Sequence, residues 1–99
     1  MSDFFEQFEE YCKTPGVESG KARSYSKAIE YLCDYLKIYE IDSQAIAQIK
    51  NVENSIYDKN SAIYQDLLFF LSKRGQTSYL VKGYIKAALN YFFDFIRKF

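Results

Sequence analysis

Ninety-nine residues suit one domain with a real but small core. A hydrophobic fraction of 48%, with aromatics at 19%, excludes a disordered chain. Thirteen basic and thirteen acidic residues leave no net charge, which counts against a protein that holds nucleic acid by bulk attraction.

The charge is nonetheless unevenly placed. Residues 1–42 hold nine acids and five bases, and residues 43–99 hold four acids and eight bases. Such asymmetry can put a basic face on a neutral molecule. A single Pro and four Gly predict few breaks and long regular elements.

Ser2 is placed to cap a first helix, with Asp3 and Glu6 near its positive end. Phe4, Phe5, Phe8, Tyr11 and Cys12 recur at helical spacing, and Thr14–Gly16 stops the run. A second helix starts near Ser19 or Gly20 and reaches about Tyr39. Its stripe is Ala22, Tyr25, Ala28, Ile29, Leu32, Leu36 and Tyr39, opposite Arg23, Lys27, Glu30, Asp34 and Lys37. Ser43 caps a short third helix carrying Ile46 and Ile49, after which "NVENSIYDKN" reads as a loop. Asn60 or Ser61 caps a fourth helix to about Lys73, with Gly75 as its terminating residue.

The fifth helix is expected from Thr77 or Ser78 to the end of the chain. Leu80, Tyr84, Ala88, Tyr91, Phe95 and Phe99 form its main stripe; Ile85, Leu89, Phe93 and Ile96 form a second. Gly83 and Ala87 leave a small-residue patch where another backbone could approach. No stretch alternates as a strand does. The predicted fold is therefore all-α, one compact bundle of about five helices spanning residues 1–99.

Catalytic and metal chemistry is not evident. There is no His, which removes the commonest general base and transition-metal ligand. Cys12 and Cys33 have no zinc or CxxC spacing and read as reduced core thiols of a cytoplasmic protein. "ESGKARS" matches the tail of a phosphate loop, but the upstream glycine spacing fails and no strand precedes it. No enzyme, metal or cofactor is expected in these residues. The acidic start is no signal peptide, and no apolar stretch approaches membrane-spanning length, so no membrane partner is expected.

What remains is two basic helix starts, "SGKARSYSK" (19–27) and "SKRGQTSYLVKGYIK" (72–86). Each combines free helix N–H groups, hydroxyls and Lys or Arg, which suits a phosphate, although a plain solvated helix end has the same composition. Tyr25, Tyr84 and Tyr91 fall on core stripes; Tyr31 and Tyr79 lie off them and are the better contact candidates.

Two stretches, "GKARSYSKAIEYLCDYL" (20–36) and "GQTSYLVKGYIKAALNYFFDF" (75–95), resemble the amino-terminal helical region of bacterial restriction endonucleases, HNH-type and related. The matching patterns are "SYxxAIxxL" and "SYxxKGYxxAALxYFxxF". More distantly, the arrangement is similar to the SAM-like core-binding domain of tyrosine recombinases. The resemblance implies a module that binds double-stranded DNA and targets a nuclease domain later in the same polypeptide. It carries over Lys21, Arg23, Lys27, Lys73, Arg74, Lys82 and Lys86 as backbone contacts. Ser78 belongs to the same corner, and Gln76 or Tyr79 would read sequence. The chain is then expected to be the amino-terminal part of a longer protein, the apolar "FFDFIRKF" end being consistent with that; a natural small protein is the alternative. A second function stands beside the first: self-association, such as a homodimer, through an exposed face of Ile85, Leu89, Phe93 and Ile96.

Overall fold

The computed structural model describes residues 2–98, apart from the side chain of Ser2. The cap expected from Ser2 and the stripe position expected for Phe99 lie outside what is described. All regular structure among the described residues is helical: α1 (Ser2–Lys13), α2 (Ser19–Leu36), α3 (Ser43–Tyr57), α4 (Ala62–Ser72), α5 (Ser78–Val81) and α6 (Tyr84–Arg97). Among the described residues no helix is long and apolar enough to cross a membrane.

The helix ends follow local chemistry. Ser61 Oγ accepts from the Tyr64 N–H at 3.0 Å, capping α4 as expected. Gly75, at φ +67°, closes that helix: its N–H reaches Ser72 O at 3.1 Å, and the Gln76 N–H reaches Leu71 O at 3.0 Å. The same pair of bonds ends α2, from Lys37 to Asp34 O and from Ile38 to Cys33 O. Lys37 therefore takes the left-handed position, φ 59°, and α2 stops before Tyr39, which is exposed. At α3 the cap is Asp42, whose carboxylate accepts from the Ala45 N–H at 2.8 Å, and not Ser43.

Two further expectations are corrected. "NVENSIYDKN" is mostly helix, because Ile49, Val52 and Ile56 continue one apolar stripe at i, i+3 and i+7. Glu53 reinforces that turn by pairing with Lys50 at 3.3 Å and accepting from the Tyr57 hydroxyl at 3.1 Å. The expected long fifth helix is two helices. Gly83 sits at φ +81°, ending α5 and preceding α6, so the described residues form six helices where about five are expected. A Cβ built on Gly83 would meet nothing within 4 Å, so this glycine serves backbone conformation and not close packing.

α2 and α6 pack antiparallel at the centre: Tyr25 lies against Tyr84 and Tyr91, while Tyr31 lies against Tyr79, just upstream of α6. α1 covers one side with rings, Phe4 and Phe8 against Phe92 and Phe95. The buried Ser26 hydroxyl ties α2 to α1 by donating to Phe5 O at 3.1 Å. α3 and α4 close the other side, and Ile49, Leu67, Leu71, Ile85, Leu89 and Phe92 are fully buried between the layers. Each such side chain contributes roughly 1.5–3 kcal/mol by leaving water. Cys12 and Cys33 are free buried thiols; burial pushes them up to about 11 and about 12, so both stay protonated at neutral pH.

Candidate nucleic-acid interface

The fold gathers cations at one place. Lys59, in the α3–α4 turn, and Lys82 and Lys86, on either side of Gly83, line a concavity of about 230 Å³ floored by Ile56, Tyr64 and Leu80. No carboxylate lines it, and none of the three ammonium groups has an ion-pair partner among the described residues. Asp58, the nearest acid in sequence, accepts from the Asn60 N–H at 3.0 Å. Lys86 Nζ stands 5.2 Å from the Tyr57 ring centre, a cation–π contact that holds the chain over the concavity's edge. The first turn of α6 opens here without a side-chain cap, so its positive dipole end adds to the lysines.

The expected corner around residues 72–86 is thus divided. Lys82 and Lys86 come together and recruit Lys59, which sequence reasoning missed. Lys73 and Arg74 end α4 at its other pole, about 14 Å along the helix from Tyr64. Lys73 Nζ rests 4.5 Å from the Phe69 ring centre, and the Arg74 guanidinium lies 3.7 Å from that of Phe70. Arg74 also donates to Phe70 O at 3.2 Å. These cations complement a helix C-terminus and do not form a helix-start grip. Gln76, in the turn leading to α5, and Ser78, the first residue of α5, are half-buried.

The second basic start lies elsewhere. Because α2 and α6 are antiparallel, Lys21, Arg23 and Lys27 sit toward the far end of the pair from Lys82. By helical period Arg23 and Lys27 face away from Lys21, on the side of Glu30 and Asp34. Arg23 is close enough to Lys13 to oppose its charge, and Lys13 already pairs with Glu10 at 2.9 Å. That end is therefore mixed in sign.

Between the two ends runs a seam of half-buried tyrosines. Tyr91 stacks on Tyr25 at 5.3 Å between ring centres, Tyr25 meets Tyr84 at 6.5 Å, Tyr84 meets Tyr79 at 5.7 Å, and Tyr79 meets Tyr31 at 5.1 Å. Tyr25 and Tyr31 come from α2, and Tyr79, Tyr84 and Tyr91 from α5 and α6. Tyr79 and Tyr31, the two expected contact candidates, pack on each other.

The expected contact face of α6 is only partly open. Ile85 and Leu89 are fully buried and belong to the core, because α3 packs over that side. Phe93 and Ile96 are half-buried and line a shallow apolar groove with Ile46, about 400 Å³, rimmed by Lys50 and Arg97. Among the described residues no group of His, Cys, Asp or Glu could hold a metal ion. What the described residues bring together is a lysine-lined concavity beside a tyrosine surface. No protein-family model, curated protein or solved structure matches this chain.

Proposed function

We propose that this chain is a nucleic-acid-binding module that holds a phosphate backbone through Lys59, Lys82 and Lys86. The observation that carries the reading is that three lysines from two separate parts of the sequence, none with an ion-pair partner among the described residues, line one concavity without a carboxylate in its lining. Three like charges repel each other unless an anion joins them, and a phosphate at an uncapped helix start is the anion this geometry favours. A local cluster also reconciles phosphate binding with zero net charge, since the field of a concavity need not follow the total. The resemblance to restriction-endonuclease amino-terminal regions supplies the context: DNA as the polymer, and targeting of a nuclease domain as the purpose.

The test is binding of a DNA duplex against salt. Three phosphate contacts give a slope of log K on log salt of about −2.7. Changing both Lys82 and Lys86 to Glu, at exposed positions, should weaken binding and bring the slope to about −0.9. Unchanged affinity in that double variant refutes the assignment.

A second reading, self-association, is favoured by one observation, the groove of Ile46, Phe93 and Ile96. Sedimentation at rising concentration tests it: a species that stays monomeric, or a dimer unaffected by Ile96→Glu, counts against that groove.

A further inference from the structure

We infer that the tyrosine seam is a surface for unpaired bases, so that the preferred partner is a single-stranded segment of nucleic acid. The inference rests on the backbone grip proposed above for the placement of phosphates, and has its own support in the seam. The choice of ring divides by face. Where α1 packs on α6 the rings are mostly Phe, namely Phe4, Phe5, Phe8, Phe92 and Phe95. Along the seam all five are Tyr. A closed core has no use for a hydroxyl, whereas a ring with one wet edge does.

Those five hydroxyls are also uncommitted. Tyr11, Tyr35 and Tyr57 each donate to a carboxylate, of Asp94, Asp66 and Glu53. None of Tyr25, Tyr31, Tyr79, Tyr84 and Tyr91 has a hydrogen-bond partner in the protein among the described residues. Each can therefore donate to and accept from a base edge.

Charge completes the argument. On the seam side of α2 the helical period places Lys21, Ser24, Ala28 and Tyr35; the acid there is Asp66, held by the Tyr35 hydroxyl at 2.7 Å beyond Tyr31, while Glu30 and Asp34 project from the other side. Lys82 stands in sequence between Tyr79 and Tyr84, and only the small residues Gly83 and Ala87 separate the lysine concavity from the seam across the first turn of α6. A strand with phosphates over Lys82 and Lys86 would lay its bases toward Tyr84, Tyr79 and Tyr31. A closed duplex keeps its bases stacked inside and reaches the concavity alone, while single strands offer a π-face to every ring they pass.

The chain contains no Trp, so its emission comes from ten Tyr, five of them on the seam, and the share of a fluorescence change that Tyr79→Leu removes is the seam's own. Three probes are compared on the intact chain: short oligothymidylate, the corresponding duplex, and inorganic polyphosphate. Oligothymidylate should quench the fluorescence saturably and bind more tightly than the duplex, and polyphosphate should bind without quenching. Tyr79→Leu should weaken oligothymidylate about 5- to 150-fold while leaving polyphosphate unchanged. Tyr79→Phe, which keeps the ring, should recover most of the loss. Equal quenching by duplex, or oligothymidylate binding no tighter than polyphosphate, overturns the inference on the unaltered protein, whatever the folding of the variants. If Lys82→Glu with Lys86→Glu abolishes binding but Tyr79→Leu does not, the backbone grip stands and the seam proposal falls. If the lysine variant still binds and quenches while Tyr79→Leu fails, the reverse holds.

Discussion

Gly83 decides whether the carboxy-terminal third is one helix or two, and Gly83→Ala measures that decision. In the structure this residue has φ +81° and ψ 15°; its N–H reaches Leu80 O at 3.1 Å, and its carbonyl accepts from Ala87 at 3.0 Å. It therefore ends α5 and begins α6 with one left-handed residue. An added Cβ touches nothing, so no steric clash with the surroundings enters the cost. The left-handed conformation costs an Ala about 1–2 kcal/mol. Against that, Ala loses less freedom than Gly on folding, by about 0.5–1 kcal/mol. The net expectation is a loss of about 1 kcal/mol, or a fall in Tm of about 4–8 °C for a domain of this size. Gly20 is the internal control. It lies in α2, a Cβ there also meets nothing, and its φ is not positive. Gly20→Ala should raise Tm, because only the freedom term of about 0.5–1 kcal/mol applies. Thermal melts followed by helical circular dichroism compare the two. If Gly83→Ala instead melts higher and gains helix signal, α5 and α6 form the single helix that the periodicity predicts, and the concavity assigned to Lys59, Lys82 and Lys86 loses its basis.

Three other outcomes follow from the same geometry. Lys37→Gly relieves a left-handed Lys at the end of α2 and should stabilise by roughly 0.5–1 kcal/mol, read as a higher urea midpoint with unchanged m value. Leu89→Ala removes a fully buried side chain and should cost roughly 2–5 kcal/mol, whereas Phe93→Ala, at a half-buried position, should cost less in the same urea titration. Cys12 and Cys33 have folded values raised by burial, from 9.0 to about 11 and about 12. A raised value contributes stability that is complete below about pH 9 and is lost as pH rises through the folded values, at about 1.36 kcal/mol per pH unit for each thiol. Under reducing conditions the urea midpoint should therefore fall as pH rises from about 9 toward about 11, and fall less in Cys33→Ala.

The all-α class was legible because every long element carries its own period. α2 shows this: Ala22, Ala28, Ile29 and Leu32 are both the apolar stripe and the buried face. Helix ends were legible where a residue has one strong local role, as with Ser61 and Gly75. They were not where the residue contradicts its own preference. Lys37 adopts a conformation that disfavours it because burying Ile38, at 6% exposure, holds the turn closed. The second half of α3 was hidden by polar residues, since Asn51, Glu53, Asn54 and Ser55 outnumber the two apolar positions that hold that turn in place.

The site was less legible than the fold, for a reason of geometry. Residues adjacent in sequence around Gly75 end on different sides, because Lys73 and Arg74 complete α4 while Lys82 and Lys86 bracket the start of α6. Lys82 and Lys86 are four apart, a spacing that a continuous helix would also put on one face, so their proximity needed no structure. Lys59 is different. It belongs to the turn "YDKNS", which reads as an ordinary solvated connection, and only the packing of α3 and α4 against α6 brings it to the other two. A usable signal did exist: Lys59 lies two residues before the Ser61 cap, so it occupies a helix junction, as Lys82 does. Paired junctions with a Lys at each, one turn from an uncapped helix start, describe this concavity better than basic density along the chain. Density favoured the segments 19–27 and 72–86 as equals, and the fold separates them, leaving Arg23 and Lys27 of the first on the side of Glu30 and Asp34 and the second divided between a helix end and the lysine concavity.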